Sequence, residues 1–373
     1  MERRRASALI GALAIVVAAC SGSSASPSAS ATAAAPSAPA SVAPSVEPSV
    51  EPSVATAEKC TGQKVSLELS FIPNVQHAGF LVAAARGYYK DEGLELEVKP
   101  GSPAVDTTQD LADGTVDLAQ VDYVDIVEAR AAGVPIKAIA QTYKLPFFFW
   151  YANKSSGIAS VADWKGKKLG AIQPGDYPER DAMMLAAGLD PKKDVTILQQ
   201  DFGTDDFIAG KIDIGEGVVF YHPAYLIGVN QKKWPDDFNV FNPADLGADF
   251  ASQTVAANED FIAKDPAAIR CFLRASIRGW QATFADAQKA VDDVMTFIPE
   301  GAIPKPHQQG AINSVLPIVG SGATDATLLK PTPDKYTATI AQLKTLGYLK
   351  TDVDVAATYD GSFYDSMGPV AAP

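Results

Sequence analysis

Gly114-Thr-Val-Asp-Leu-Ala-Gln120 has a counterpart about 100 residues later in the chain, at Gly210-Lys-Ile-Asp-Ile-Gly-Glu216. In each copy a glycine that can end a helix precedes an apolar-Asp-apolar strand start, and a polar residue stands three places after the aspartate. Aromatic residues follow both copies, at Tyr123 and at Phe220-Tyr221. The recurrence predicts two similar α/β lobes, not one long sheet.

Strand and helix patterns alternate around the first copy. Residues 65–71 and 94–98 alternate apolar and polar side chains, which is typical of strands, and helical spacing follows the first of them. Such alternation predicts a mostly parallel sheet with helices on both faces. The apolar, aromatic residues 145–152 predict a buried crossing between the lobes, and residues 252–257 predict a return crossing.

The N-terminus has the pattern of an export signal. Arg3 to Arg5 precede an apolar run that ends at Ala19, which is shorter than the roughly 20 residues that a membrane-spanning helix needs. The run ends in Val17-Ala-Ala-Cys20, which resembles a bacterial lipobox. Residues 1–20 therefore predict a lipoprotein signal peptide with lipidation at Cys20; an ordinary signal peptide with an incidental cysteine is the alternative.

The next stretch, residues 21–58, consists largely of Ser, Ala, Pro and Val. It lacks the large side chains that build a core, so it predicts a disordered tether. The signal and the tether together predict a protein on the extracytoplasmic face of the cell membrane, held there by its lipid anchor alone. We expect residues 59–148 and 255–373, with bracing C-terminal helices, to form lobe 1, and residues 149–254 to form lobe 2.

The cysteines and the charge narrow the class of protein. Cys60 and Cys271 predict either a disulfide, which an oxidising compartment permits, or two buried thiols. The net charge of −13 argues against binding to nucleic acid. The sequence has three widely spaced histidines and no nucleophile elbow, Walker loop or dinucleotide fingerprint. We therefore predict no enzyme activity, no cofactor and no metal.

Ligands of open α/β sheets bind beyond the carboxyl ends of the strands, and this rule selects the candidate site. Flat side chains in these loops could stack on a planar ring, and polar ones could bond to its edge. The predicted ligand-binding residues are Phe71, Asn74, His77, Gln120, Tyr123, Tyr177, Glu216 and Tyr221. For His77, a backbone-bonded position at a helix start is the alternative.

Five stretches in chain order resemble the solute-binding proteins related to sulfonate binders and thiamine-pyrimidine binders. They are Phe71-Ile-Pro-Asn-Val-Gln-His-Ala-Gly-Phe80, Ala85-Arg-Gly-Tyr-Tyr-Lys-Asp-Glu-Gly-Leu94, Gly114-Thr-Val-Asp117, Asp163-Trp-Lys-Gly-Lys-Lys-Leu-Gly170 and Glu259-Asp-Phe-Ile-Ala-Lys-Asp-Pro266. The resemblance covers residues 65–365. It implies a periplasmic-binding-protein-like type II fold, with two doubly wound α/β lobes joined by two crossover strands. It also implies a monomer that hands a small ligand to an ABC transporter permease; presentation to a receptor is the alternative.

Charge and the resemblance together suggest the ligand. Acidic residues at the start of the helix near Tyr177 compensate its dipole and would repel sulfonate or nitrate. We expect a planar heteroaromatic, with a thiamine-type pyrimidine first and riboflavin second; a sulfonate or nitrate is the remaining alternative within the same fold. Pyrimidine synthases share the implied fold, but they carry a reactive histidine about where this chain has Asp125, and they have a cysteine-rich run where residues 250–258 contain no cysteine. The synthase activity is therefore not predicted.

Overall fold

The computed structural model describes residues 58–172 and 177–373. The predicted signal peptide, Cys20 and the tether up to residue 57 lie outside the described residues, so lipidation and tethering stay predictions.

The described residues alternate strands with helices. The strands are β1 Gln63–Glu68, β2 Leu94–Lys99, β3 Leu118–Asp122, β4 Ile136–Gln141, β5 Phe148–Asn153, β6 Lys168–Ala171, β7 Thr196–Gln199, β8 Gly215–Val218, β9 Phe238–Phe241 and β10 Gln253–Asn258. The helices are α1 Ala78–Ala85, α2 Tyr88–Asp91, α3 Thr107–Ala112, α4 Tyr123–Ala131, α5 Pro178–Ala186, α6 Asp205–Ile208, α7 His222–Gly228, α8 Glu259–Lys264, α9 Pro266–Ala285, α10 Ala287–Met295, α11 Lys305–Val319, α12 Pro333–Leu346, α13 Val355–Thr358 and α14 Ser362–Ser366.

One sheet has the order β2-β1-β3-β10-β4. Strand β1 runs parallel to β2 and β3, whereas β10 runs antiparallel to both β3 and β4. The prediction of a mostly parallel sheet is therefore wrong for β10. This strand comes from late in the chain, and it enters the sheet from the opposite end.

A second group of strands forms from the middle of the chain. Strand β5 lies between β8 and β9 and is antiparallel to both, while β6 and β7 form a parallel pair. An isolated bridge between Leu169 and Ile214 joins the parallel pair to the residues just before β8. Residues 148–241 thus supply their own sheet structure, separate from the strands of the first sheet.

The two predicted crossings are displaced. The aromatic stretch predicted as a crossing contains β5, which is the central strand of its sheet, and the chain passes between the sheets over residues 142–147 instead. The return passage occupies residues 242–252, and β10 follows it inside the first sheet. Apolar composition cannot separate a crossing from a central strand, because both are buried on every side.

The repeated sequence motif performs the same structural task twice. Gly114 and Gly210 both adopt the left-handed conformation, with φ of 69° and 70°, at the ends of α3 and α6. The Asp117 carboxylate then accepts a hydrogen bond from the Ser66 backbone N–H at 2.8 Å, and Asp213 accepts one from the Lys168 N–H at 2.9 Å. Each aspartate fixes the start of its strand against the neighbouring parallel strand.

The start of the described chain is held to α9. Cys60 and Cys271 are joined by a disulfide, with sulfur atoms 2.19 Å apart. Beside it, the buried Arg274 guanidinium donates to a Glu92 carboxylate oxygen at 2.8 Å and to the carbonyl oxygens of Met367 and Glu58, each at 2.6 Å. We call Cys60, Cys271, Arg274 and Glu92 the N-terminal clamp.

The late helix α12 contacts both groups of strands. Tyr336 stacks on Tyr123 at the start of α4, with ring centroids 4.0 Å apart. Leu343 packs in the same apolar cluster as Trp150 of β5 and Trp164. The helix therefore braces the junction between α4, which follows the first sheet, and the core of the second group of strands.

Candidate ligand-binding site

The candidate site lies where the ends of several strands approach one another. Asp122 ends β3 and Glu216 belongs to β8. Tyr177 directly precedes α5, and Glu179 lies in the first turn of that helix. The charges of Asp122 and Glu179 influence each other, and the Phe71 ring, beyond β1, stacks on Phe202, beyond β7. Residues of both sheets therefore meet at this edge.

Glu216 is the best-defined polar group of the site. Its backbone and the Gln200 side chain exchange two hydrogen bonds, of 3.0 and 2.8 Å, which fix this part of β8. Its carboxyl Oε2 accepts from the Ile172 N–H at 3.1 Å, whereas Oε1 is buried and has no hydrogen-bond partner among the described residues. Burial raises the pKa of Glu216 to about 7, although the Ile172 N–H and the Arg180 charge act in the opposite direction.

Three further carboxyl groups surround this position. Burial and the charge of Glu179 raise the pKa of Asp122 to about 7, and burial with the charges of Asp125 and Glu216 raises that of Glu179 to about 7. The protein around Asp125 and the charge of Asp122 raise the pKa of Asp125 to about 8, although its side chain remains open to solvent. These four groups, Asp122, Asp125, Glu179 and Glu216, are called the carboxyl cluster below.

Tyr177 and Phe148 supply flat surfaces beside the carboxyl cluster. The Tyr177 ring meets Phe148 edge to face at 5.1 Å and Trp150 at 6.0 Å. Burial and the surrounding carboxylates, with Glu179 first, raise the pKa of Tyr177 well above its usual value, so its hydroxyl stays a hydrogen-bond donor. The neighbouring Arg180 guanidinium is engaged by the Asp181 carboxylate at 2.8 Å.

His77 and Gln120 form a second polar pair, between the loop after β1 and the end of β3. Both side chains are fully buried. Among the described residues, no donor or acceptor lies within good hydrogen-bonding geometry of the His77 imidazole nitrogens or of the Gln120 amide atoms. Burial lowers the pKa of His77 to about 3, which the nearby Gln120 partly opposes, so the imidazole is neutral at physiological pH. Such buried donors and acceptors call for a polar partner.

Phe71 and Tyr221 belong to an aromatic group at another part of the site. Phe71 stacks on Phe202 at 5.7 Å, and Phe202 meets Tyr221 edge to face at 5.0 Å. The Tyr221 ring in turn lies 4.9 Å from that of His307 in α11. The two predicted residues are thus brought together through Phe202, which the sequence alone did not single out.

Two predicted residues are occupied elsewhere. Asn74 caps the short helix Val75–His77 by accepting from the Gln76 N–H at 2.7 Å, and its amide group donates to the Ile72 carbonyl at 2.9 Å and to the Gln76 side chain. Tyr123 is fully buried beneath Tyr336, and its hydroxyl is bonded to Thr358 at 2.6 Å. We therefore leave Asn74 and Tyr123 out of the candidate site. The Asn74 side chain caps the short helix that follows it, and Tyr336, far away in the chain, covers the Tyr123 ring.

The structure adds residues that were not predicted. Asp122, Asp125, Glu179, Phe148 and Phe202 line the site beside the predicted Tyr177 and Glu216. Two features of the sequence indicated some of these residues. Glu179 lies in the acidic first turn of α5, and Asp125 lies on the helix that follows the first copy of the repeat. Phe202 follows an unremarkable loop, and no sequence signal marks it.

Among residues 58–172 and 177–373, no group of three or more His, Cys, Asp or Glu side chains is placed to hold a metal ion. Over the same ranges, none of the helices has the length and apolar character needed to cross a bilayer.

Comparisons with known proteins give relatives of two kinds. The riboflavin-binding protein RibY of Chloroflexus aurantiacus is 29% identical over 318 residues, covering 81% of this chain and 86% of that protein. A formylaminopyrimidine-binding protein of Halalkalibacterium halodurans is 24% identical and covers 65% and 73%. The enzyme 4-amino-5-hydroxymethyl-2-methylpyrimidine phosphate synthase THI5 of Saccharomyces cerevisiae is 27% identical and covers 64% and 72%.

Solved structures confirm the fold class. The aliphatic sulphonate binding protein SsuA from Escherichia coli matches with a TM-score of 0.62 at 16% identity, covering 80% of this chain and 92% of that one. The chain thus has the predicted periplasmic-binding-protein-like α/β fold, in which two lobes are joined by two crossovers. The model of the NMT1/THI5 like family matches residues 74–290, more than half of the chain, and the protein therefore belongs to this family.

Proposed function

We propose that the protein captures a planar heteroaromatic molecule without an anionic group and delivers it to an ABC importer. The observation that carries this proposal is the Glu216 carboxyl, whose buried Oε1 has no partner among the described residues and lies near the Tyr177 ring and Glu179. A carboxyl group with a pKa of about 7 can donate or accept at the edge of a heterocycle. Tyr177 and Phe148 offer rings on which such a molecule can stack.

Riboflavin is the first ligand to test. The relative named for riboflavin binding aligns over 86% of its own length, against 73% for the one named for formylaminopyrimidine binding. Carboxyl groups of mixed protonation suit the alternating donors and acceptors of a flavin ring, and carboxylates accept hydrogen bonds from the hydroxyls of its side chain.

An aminopyrimidine is the second candidate, and the unpartnered oxygen of Glu216 favours it. An amino group beside a ring nitrogen presents one donor and one acceptor, which a single carboxyl group can meet together. The relatives named for pyrimidine binding and synthesis support the same ligand class.

The proposed function also includes two lobes, a lipid anchor and a permease partner. The two predicted lobes, residues 59–148 with 255–373 and residues 149–254, close on the ligand, with their boundaries moved to Phe148 and Gln253, where β5 and β10 begin. Cys20 carries a lipid outside the cytoplasm, the tether spaces the monomeric protein from the membrane, and a permease accepts the ligand. The site residues act in binding and not in catalysis, because Asp125 stands about where the synthases of this fold carry their reactive histidine.

Ligand titration tests the proposal. We expect riboflavin or an aminopyrimidine to bind with a Kd between micromolar and nanomolar, and at 100 times its Kd to stabilise the protein by about 2.7 kcal/mol. Glu216→Ala should weaken binding at least tenfold, while Glu97→Gln, an exposed carboxylate of β2, should leave it unchanged. Protection by taurine or nitrate, with none by either heterocycle, would overturn the proposal. Ligand-dependent co-purification with a permease tests delivery.

A further inference from the structure

Charge is distributed unevenly around the candidate site. Besides the carboxyl cluster, Glu128 and Asp106 add negative charge close to Asp125, and both raise its pKa. The Arg180 charge lowers the pKa of Glu216, and the Asp181 carboxylate holds the Arg180 guanidinium at 2.8 Å. Tyr348 donates a hydrogen bond to the other oxygen of Asp181 at 2.8 Å, which keeps that carboxylate in place.

The cluster is assembled from separate parts of the fold. Asp122 accepts from the Val124 N–H at 3.1 Å as the cap of α4, so the end of β3 fixes its position. Glu179 lies in the first turn of α5, after β6. The charge of Glu179 raises the pKa of Asp122, so a carboxyl group at the end of β3 and one in the first turn of α5 lie within electrostatic range of each other.

Two unpartnered polar side chains point to a ligand at this cluster. Glu216 is 2% exposed, and its Oε1 lacks a partner near Glu179. Gln120 is fully buried beside His77, its amide atoms make no hydrogen bond of good geometry among the described residues, and it lies on the same face of β3 as Asp122, two residues away. Both side chains can bond to an uncharged polar group, and neither supplies the positive charge that a phosphate requires.

We propose that Asp122, Asp125 and Glu179 act as an anion filter, which admits the uncharged heterocycle and rejects its phosphorylated form. The inference rests on the proposed function and adds the residues that determine its specificity. A phosphate monoester carries a charge of about −1.5 to −2 at neutral pH. In this site it would lie near Asp122, Asp125 and Glu179, and the charges of the described residues that act on these three groups are those of other carboxylates. Any phosphorylated source of the ligand must therefore be hydrolysed by a phosphatase before capture.

The test compares one heterocycle with and without its phosphate. Riboflavin and riboflavin 5′-phosphate, and an aminopyrimidine alcohol and its phosphate, are titrated at pH 8 into the wild-type protein and the variants Asp122→Asn, Glu179→Gln and Asp125→Asn. We expect wild type to bind the phosphate form at least tenfold more weakly. Each variant should reduce this ratio at least threefold, and Glu97→Gln should leave it unchanged.

The outcomes separate this inference from the proposed function. Asp125 is exposed, so its variant keeps the test informative if removal of a buried carboxyl group disturbs folding. Equal binding of both forms by wild type, or an unchanged ratio in all three variants, overturns the anion filter alone. If neither riboflavin nor the aminopyrimidine alcohol binds, with or without its phosphate, both the proposed function and the anion filter are wrong.

Discussion

The N-terminal clamp and the carboxyl cluster both contain buried ionisable side chains, Arg274 in the clamp and Glu179 and Glu216 in the cluster, but the charges around these side chains differ in sign. In the clamp, the Arg274 guanidinium reaches a carboxylate and two carbonyl oxygens, all within 2.8 Å. In the cluster, the charge of one carboxyl group raises the pKa of another. A buried charge with its partners in place serves the fold, whereas a buried acid without a counter-charge costs stability and is typical of a functional site.

The largest expected effect comes from breaking the clamp. Arg274→Met leaves Glu92 and two carbonyl groups without their donor, and we expect the free energy of unfolding to fall by about 3–5 kcal/mol. Chemical denaturation measures this change. Arg270→Met is the matched control, because its ion-pair partner Glu58 is 70% exposed and the pair should contribute less than about 1 kcal/mol. Equal losses in the two variants would contradict the contrast drawn here.

Removing the charge of a buried carboxyl group from the carboxyl cluster should increase the free energy of unfolding instead of lowering it. Burial and nearby charges raise the pKa of Glu179 from 4.5 to about 7 in the folded protein, so the stability of the fold decreases as the pH rises from about 4.5 to about 7 and stays reduced above pH 7. At pH 4 the group is mostly neutral in both states. Glu179→Gln should therefore raise the free energy of unfolding by about 1–3 kcal/mol at pH 8. The gain should disappear at pH 4.

Denaturation curves at the two pH values check this prediction. Glu97→Gln, on the surface, serves as the control and should show little change at either pH. A variant that is less stable than wild type at pH 8 would mean that the Glu179 carboxylate has a stabilising partner.

The smallest effect concerns the aromatic contact between the two groups of strands. Phe71 and Phe202 are stacked at 5.7 Å, and such pairs contribute about 0.5–1.5 kcal/mol beyond their buried area. Phe202→Leu should weaken ligand binding about 2- to 12-fold if the pair forms as the lobes close. Titration measures the affinity, and unchanged binding would show that the contact persists in the open form.

Much of the fold could be read from local patterns. The recurrence of Gly114–Gln120 at Gly210–Glu216 is matched by equal glycine conformations and by aspartates that each accept a hydrogen bond from a backbone N–H of the neighbouring parallel strand. Strand direction could not be read in this way, because alternation of apolar residues is the same for parallel and antiparallel strands. The antiparallel β10 is therefore a consequence of chain topology.

The candidate site was less predictable than the fold. Glu216 and Tyr177 stand at strand and helix ends, where a general rule places ligands. Tyr123 satisfied the same rule, yet Tyr336, more than 200 residues later, covers its ring. The electrostatic interaction between Asp122 and Glu179 likewise links the end of β3 to the start of α5, and no local sequence pattern in either segment predicts it.

The disulfide between Cys60 and Cys271 also has a mechanical consequence. Tension applied through the residues before Glu58 reaches this covalent bond before it reaches Gln63, the first residue of β1. The load then passes into the 20-residue helix α9. A pull from the N-terminal side therefore cannot peel β1 away from its neighbours, and the strands that present the binding loops are shielded from strain.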